Sequence, residues 1–486
     1  MTTEKLGDTA ARGVVTTLSG QGLKLAIQVL SVVILARMLS PQDYGLVAMV
    51  AVIIGIADLF RDFGLSSAAI QAKTLSNQQR DNLFWLNAAL GVVLAVIIFC
   101  VSPLIAGMYN QPKLVDISHV LAATFLLSGL ATQYRADLTR RLKFAKLALA
   151  DIIAAAIALL TAIIAASLGA GYWALIVQQL TQYTFMLVLV TASAGWLPKK
   201  PSRRTPMDGM IKFGWNLVAT QLIGYLSKNI DSLVIGIRFG AVPLGLYSRA
   251  FQLLMAPLSQ IRSPSTTVAL PVLARLHDDE ERFASFVQRG QLALGYTLVT
   301  GLGVVVGAGL PITELFLGQK WLSLAPVLSL LAAAGAFQTL AFVGYWVYLA
   351  KGMTKYLFRY SIAESAVTVA CILIGSQWGI VGVAAGYAAT QAIGWPLSLW
   401  WLSRYSKLKV RPLYAAALRI IAISAAMAMA SHLTVLGLHE FPSYVAVIAA
   451  LIAGAIVMAL ATLSIPRIRR DITGVWEIAT RARRKG

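Results

Sequence analysis

The sequence is poor in charge, cysteine and histidine. Only 13% of its 486 residues are Asp, Glu, Lys or Arg, against 58% hydrophobic ones, and the mean hydropathy is +0.74. A soluble protein carries about 25% charged residues. A core of this size cannot bury so much apolar surface and leave so little charge for the outside, so lipid is the second solvent. That excludes a soluble enzyme, a secreted scaffold and a nucleic-acid-binding domain. The two cysteines, Cys100 and Cys371, lie inside apolar runs, which excludes a disulfide framework and reads them as packing residues. His119, His277, His432 and His439 have no metal-ligand spacing, and no Walker motif is present. No metal, no other cofactor and no direct coupling to ATP is expected.

What the chain does have is long apolar runs. A hydrocarbon core about 30 Å thick needs about 20 residues per helix. The runs fall at 14–37, 44–60, 83–108, 118–135, 146–169, 171–195, 213–238, 244–271, 290–317, 322–350, 357–377, 379–403, 413–436 and 443–464. The fold class is therefore an all-α polytopic membrane protein with about 14 transmembrane helices. Connections are short and leave no room for an extramembrane domain. The polar start, MTTEKLGDTAARG, has no small-residue cleavage site, so the first span is expected to remain in the mature protein.

Acidic residues are half as frequent as basic ones, 20 against 41, for a net charge of +21. On this span list, 32 of the 41 cations fall in the N-terminal tail, the loops after even-numbered spans and the C-terminal tail. The opposite loops hold little beyond Lys113 and Lys320. By the positive-inside rule both termini are cytoplasmic, which suits an even span number and a bacterial inner membrane. The charge excess is then a topology signal, and the nucleic-acid reading falls with it.

The chain also repeats itself. ILARMLSPQDYGLVAMV at 34–50 is echoed by VIGIRFGAVPLGLYSRAF at 234–251, each running from an Arg through a short turn into Gly-Leu. LKFAKLALADIIAAAI at 142–157 is echoed by MTKYLFRYSIAESAVT at 353–368, with Asp151 and Glu364 early in the two helices. These offsets fit two six-helix lobes followed by two C-terminal helices, an internal repeat common among secondary transporters. The expected parts are a cytoplasmic tail (1–13), an N-lobe (14–195) and a basic linker (196–212). A C-lobe (213–403), two further spans after a basic loop (404–464) and a basic tail (465–486) complete the chain.

The strings ILARMLSPQDYGLVA, FRDFGLSSAAIQ, NLFWLN and DSLVIGIRFGAVPLGLYSRAFQLL, with the Pro-spaced stretch up to LPVLARL, carry a resemblance. From about residue 10 to about 405 the chain resembles the Wzx-type polysaccharide-repeat flippases, in the branch of colanic-acid and teichuronic-acid exporters. That branch belongs to the multidrug/oligosaccharidyl-lipid/polysaccharide exporter superfamily. The resemblance implies a non-enzymatic exporter with a twelve-helix alternating-access core. Its implied substrate is an undecaprenyl-diphosphate-linked oligosaccharide, carried from the cytoplasmic to the periplasmic leaflet for exopolysaccharide, capsule or O-antigen assembly. Implied partners are membrane lipid and other polysaccharide-assembly membrane proteins.

The chemistry of such a substrate needs a wet, cationic cavity, because phosphate attracts Arg and Lys and a mid-membrane charge must face a cavity or a partner. In the first span Thr17, Gln21, Lys24, Gln28 and Ser31 recur on one face; in the seventh Asn216, Thr220, Gly224, Ser227, Asp231 and Arg238 do the same. Lys228 lies beside that second stripe, within reach of Asp231. The stripes line either a cavity or a polar helix–helix contact. In the eighth span Arg249, Gln252 and Arg262 accompany Pro257, Pro264 and Pro271, so the helix is expected to kink. Lys24, Lys228, Arg249 and Arg262 are the candidate substrate cations, Gln21, Gln28, Asn216, Asp231 and Gln252 the polar lining, and the three prolines a candidate hinge. Glu314 and Glu364 are candidates for ion coupling, or else partners of a nearby Lys or Arg. Trp196, Trp321, Tyr109 and Tyr405 read as interfacial aromatics. A multidrug antiporter of the same superfamily would want a cavity of carboxylates instead. A membrane polysaccharide polymerase would want a large periplasmic loop, and this chain has none.

Overall fold

The computed structural model describes residues 3–62, 75–201, 208–406 and 408–474, with the backbone alone for 3–19, 62, 208–220, 223 and 226. Every regular element among the described residues is helical. Among the described residues eleven stretches are long and apolar enough to cross a bilayer, and one of them, Thr354–Tyr405, holds two helices of more than 20 residues each. The protein is an integral membrane protein. By contact the chain divides into two compact units, Met1–Ser248 and Arg249–Gly486.

The first unit holds α1 (Thr3–Met38), α2 (Pro41–Asp62), α3 (Asn77–Tyr109), α4 (Leu114–Arg140), α5 (Phe144–Ser167), α6 (Trp173–Ala194), α7 (Asp208–Phe239) and the start of α8 (Ala241–Arg275). The Ser40-Pro41-Gln42-Asp43 string explains the sharp entry into α2. Pro41 supplies a helical φ at the first position, while the Ser40 amide donates to Asp43 Oδ2 (2.9 Å) and the Asp43 amide to Ser40 Oγ (3.3 Å). The Ser76–Gln79 pair caps α3 in the same reciprocal way. Phe84, Tyr134, Leu138, Ala154 and Met186 of α3 to α6 form one apolar core, and Ala57, Leu94, Ile98 and Phe125 another.

The two Gly-Leu motifs meet at one crossing. A Cβ on Gly45 would overlap the Ala241 carbonyl, and one on Gly245 would overlap the Pro41 carbonyl. Each glycine sits against the first residue of the other's helix. Only a residue with no side chain lets α2 and α8 approach so closely.

The second unit continues α8 and adds α9 (Glu280–Leu294), a π-turn (Gly295–Val299), α10 (Thr300–Gly307), α11 (Gly309–Leu317) and a 3₁₀ turn (Gln319–Leu324). It ends with α12 (Ala325–Ala350), α13 (Thr354–Gly375), α14 (Gly379–Tyr405), α15 (Arg411–Gly437), α16 (Ser443–Ser464) and a short helical segment at 466–474. Leu273, Phe283, Trp346, Tyr348, Trp395 and Ile420 are at the centre of its core. The run expected at 290–317 is thus broken by a π-turn and a second break at Ala308, whereas α8 runs as one helix through its three prolines. The expected spans 213–238 and 244–271 are not among the eleven apolar stretches. For 213–238 only part of the side chains is described, and α8 carries too many Ser, Gln, Pro and Arg residues.

Some aromatic and cysteine assignments change. Trp321 and Tyr109 are buried in protein rather than placed at an interface, while Tyr405 is exposed. Cys100 is exposed on an apolar helix face instead of packed, and Cys371 is half-buried. In a span, hydropathy marks lipid-facing and buried residues alike, so it cannot separate the two.

The turn before α5 recurs before α13. Arg141, Leu142 and Lys143 amides bond to Asp137, Thr139 and Leu138 carbonyls. Lys351, Gly352 and Met353 amides bond to Val347, Leu349 and Tyr348 carbonyls. Leu142 and Gly352 occupy the left-handed region, at φ 55° and 66°.

Candidate functional site

In the first unit, three helices converge on Asp151. Near the start of α5 its carboxylate receives Arg135 from the end of α4, Nη1 to Oδ1 at 3.0 Å and Nη2 to Oδ2 at 3.5 Å. Lys24 of α1 lies alongside, Nζ to Oδ1 at 3.9 Å. Arg135 Nη1 is also 2.9 Å from Met186 Sδ on α6. Lys24 was anticipated as a cavity cation. Arg135 was not, because its position at a span end reads as one more loop cation, and Asp151 stood out only as a repeat marker. Gln21 and Gln28 are exposed on the same helix as Lys24. Gln178 of α6 donates to Ser31 Oγ at 2.7 Å, so the far end of that stripe is helix–helix glue.

Asp231 of α7 is 2% exposed and turns away from Lys228. Its Oδ2 accepts from the Tyr247 hydroxyl at 2.6 Å, and its Oδ1 from the Ser232 amide at 2.6 Å. The anticipated Lys228–Asp231 pair does not form, because the Tyr247 hydroxyl and the Ser232 amide already satisfy the carboxylate while Lys228 stays exposed. The side chains of Thr17, Asn216 and Thr220 lie outside the described ones.

In the second unit Arg262 of α8 is 7% exposed. Its Nη2 donates to Gln338 Oε1 of α12 at 2.8 Å, and its guanidinium lies 5.3 Å from the centre of the Phe342 ring. Nε and Nη1 are buried and have no acceptor among the described residues. No carboxylate pairs with it among the described residues. Arg249 is half-buried, Gln252 and Pro271 are exposed, and Pro257 and Pro264 are half-buried. Glu314 of α11 is bound to no cation among the described residues. Its Oε2 accepts from Ser443 Oγ of α16 at 2.6 Å. Glu364 of α13 is half-buried and close to where α14 passes, its Oε1 3.7 Å from the position a Gly394 Cβ would take. Gln338, which orients Arg262, was missed; a neutral side chain in an apolar run gives no signal of its own.

Among the described residues no group of His, Cys, Asp and Glu is arranged to hold a metal ion. The chemistry on offer is electrostatic recognition of an anion.

Comparison with known proteins adds three findings. The model of the polysaccharide biosynthesis protein family matches residues 34–326. The chain is 27% identical over 384 residues to the lipopolysaccharide biosynthesis protein WzxC of Escherichia coli, covering 77% of each. It is 28% identical over 386 residues to the teichuronic acid biosynthesis protein TuaB of Bacillus subtilis, covering 76% of this chain and 77% of that protein. The fold is similar to that of the lipid II flippase MurJ in an inward closed conformation. That likeness has a TM-score of 0.72 at 15% identity, over 92% of this chain and 98% of that one.

Proposed function

From the premise that the chain belongs to the polysaccharide biosynthesis protein family, we propose that it is a flippase for a lipid-linked oligosaccharide. The substrate is an undecaprenyl-diphosphate-linked repeat unit, moved from the cytoplasmic to the periplasmic leaflet of a bacterial inner membrane by alternating access. WzxC is named for lipopolysaccharide biosynthesis, TuaB for teichuronic acid biosynthesis, and MurJ as a lipid II flippase. The observation that carries the reading here is Arg262. A buried guanidinium with two donors lacking acceptors, in a membrane protein, is a strong electrostatic demand for an anion.

In this reading Lys24 and Lys228 are the substrate cations that the first unit offers, and Arg249 and Arg262 those that the second unit offers. Gln21, Gln28, Asn216 and Gln252 hydrogen-bond the sugars, whereas Asp231, expected in the same lining, is closed off by Tyr247 and Ser232. Pro257, Pro264 and Pro271 supply the hinge, and Glu314 and Glu364 are the candidates for a coupling ion. The fourteen-span count, the two six-helix lobes at 14–195 and 213–403, and cytoplasmic termini belong to the same proposal. The turn that recurs at 141–143 and 351–353 supports the repeat.

The test is a lipid extraction. Deletion of the gene is expected to accumulate a complete diphosphate-linked repeat, detected by mass spectrometry, with loss of surface polysaccharide. An incomplete repeat would overturn the reading in favour of an enzyme upstream. An unchanged lipid profile with new sensitivity to cationic drugs would overturn it in favour of a multidrug antiporter.

A further inference from the structure

The cluster around Asp151 is built differently from the Arg262 site. Two cations share one carboxylate, so the group keeps a net charge of +1. The side chains of Lys24, Arg135 and Asp151 are 33%, 39% and 20% exposed, so protein does not seal them off. Arg135 is committed, with both terminal nitrogens on the carboxylate and Nη1 also beside the Met186 sulfur. Lys24 is not. At 3.9 Å its ammonium is within ion-pair range of Asp151 but beyond a hydrogen bond, so its donors remain available. On the proposed topology α4 ends and α5 begins at the cytoplasmic side, where a substrate enters, and Lys24 meets them from the middle of the first span.

We propose that Lys24, Arg135 and Asp151 form an entry site for an isoprenoid diphosphate, with Lys24 as the contact and Asp151 as a counter-charge that limits the grip. The identity of the ligand as a lipid diphosphate rests on the flippase reading. An anion at Lys24 feels two cations and is repelled by one carboxylate. The cations give charge-assisted hydrogen bonds to phosphate oxygens, and the carboxylate subtracts from them. That subtraction weakens the hold at this first contact, so the ligand stays there only briefly. Asp151 thus acts as a positioning residue: it fixes Arg135 and sets the rate of release.

The test is direct binding to the purified full-length chain in detergent. Farnesyl diphosphate serves as the probe, with inorganic diphosphate and farnesol as comparison arms. Farnesyl diphosphate is expected to bind and farnesol not. Lys24→Gln and Arg135→Gln are expected to weaken binding by roughly tenfold, and Asp151→Asn to tighten it by a similar factor. The opposite sign is diagnostic, because loss of a merely structural staple would weaken binding in all three. Weaker or unchanged binding in Asp151→Asn overturns the proposal, as does tighter binding of inorganic diphosphate than of the farnesyl form. Where Asp151→Asn is not recovered from the membrane, Lys24→Arg is expected to keep binding and Lys24→Gln to lower it and flatten its salt dependence. Equal binding in those two overturns the site. Binding with the expected signs, in a chain whose deletion accumulates no lipid-linked repeat, keeps the site and removes the flippase reading. Accumulation of the repeat with unaltered binding in the variants does the reverse.

Discussion

Desolvating a guanidinium costs several kcal/mol, and Arg262 recovers part of that through Gln338 and the face of Phe342. The remainder is left unmet while Nε and Nη1 lack acceptors. A residue kept for stability would not be left in this state, so function and stability should separate at this position. Arg262→Met is expected to abolish export, read as loss of surface polysaccharide. Its thermal unfolding in detergent should stay level or rise, because the substitution removes a desolvated charge. A large fall in stability with export retained would reverse the assignment. Arg262 was legible in the sequence because a charge amid apolar residues and periodic prolines stands out. Arg135, Asp151 and Gln338 were not, since which charge meets which depends on how α1, α4 and α5, or α8 and α12, pack. Trp321 was misjudged as interfacial for the same reason: nearness to a span end says nothing about which side of the helix faces protein.

Two contacts test how whole elements are held. At the crossing of α2 and α8 neither Gly45 nor Gly245 has room for a Cβ, because the obstacle is the other helix's backbone and cannot rotate aside. Gly45→Val is expected to force the helices apart, at a cost of about 3 kcal/mol or more, and to lower the amount of folded protein in the membrane. Gly22→Ala is the control. Nothing lies within 4 Å of its added Cβ, and alanine favours the helix, so the level should hold or rise. The second contact is at the end of the described chain. Asp471, in the helical segment after α16, accepts from Arg419 Nη2 at 2.8 Å and Nε at 3.1 Å and from the Tyr296 hydroxyl at 3.2 Å, while Ile468 is buried. The segment is thereby tied to α15 and to the π-turn between α9 and α10. Asp471→Ala is expected to free it, seen as faster hydrogen exchange over 466–474 and faster tryptic cleavage at Arg469 and Arg470. The start of α2 was readable from Ser40 and Pro41, whose capping chemistry is local. The π-turn was not, because one extra residue in a helical turn leaves hydropathy unchanged.

Over the molecule as a whole, the distribution of charge says more than its amount. A cation in a loop costs little on either side, but retention of Lys and Arg on the cytoplasmic face during insertion fixes which side each loop takes. On the proposed fourteen spans 32 of the 41 cations fall on one set of loops and tails, and the alternative orientation would require translocating those 32. This asymmetry was legible because it needs only the order of the spans and not their packing. The eleven apolar stretches among the described residues do not by themselves say which end faces the cytoplasm. Labelling does. In a background with Cys100→Ser and Cys371→Ser, single cysteines at the exposed positions Lys113 and Lys200 report the loops after α3 and α6. A membrane-impermeant maleimide added to intact spheroplasts is expected to label Lys113→Cys and spare Lys200→Cys, and to label both once the membranes are opened. The reverse pattern would invert the orientation. It would also move Lys24, Arg135 and Asp151 to the side from which a repeat unit leaves, so that the charge balance at Asp151 would control discharge rather than entry. Labelling of both in intact spheroplasts would mean an even number of crossings between the two positions, so that one of the helices α4 to α6 fails to cross. The measurement therefore decides orientation and the middle of the span list together.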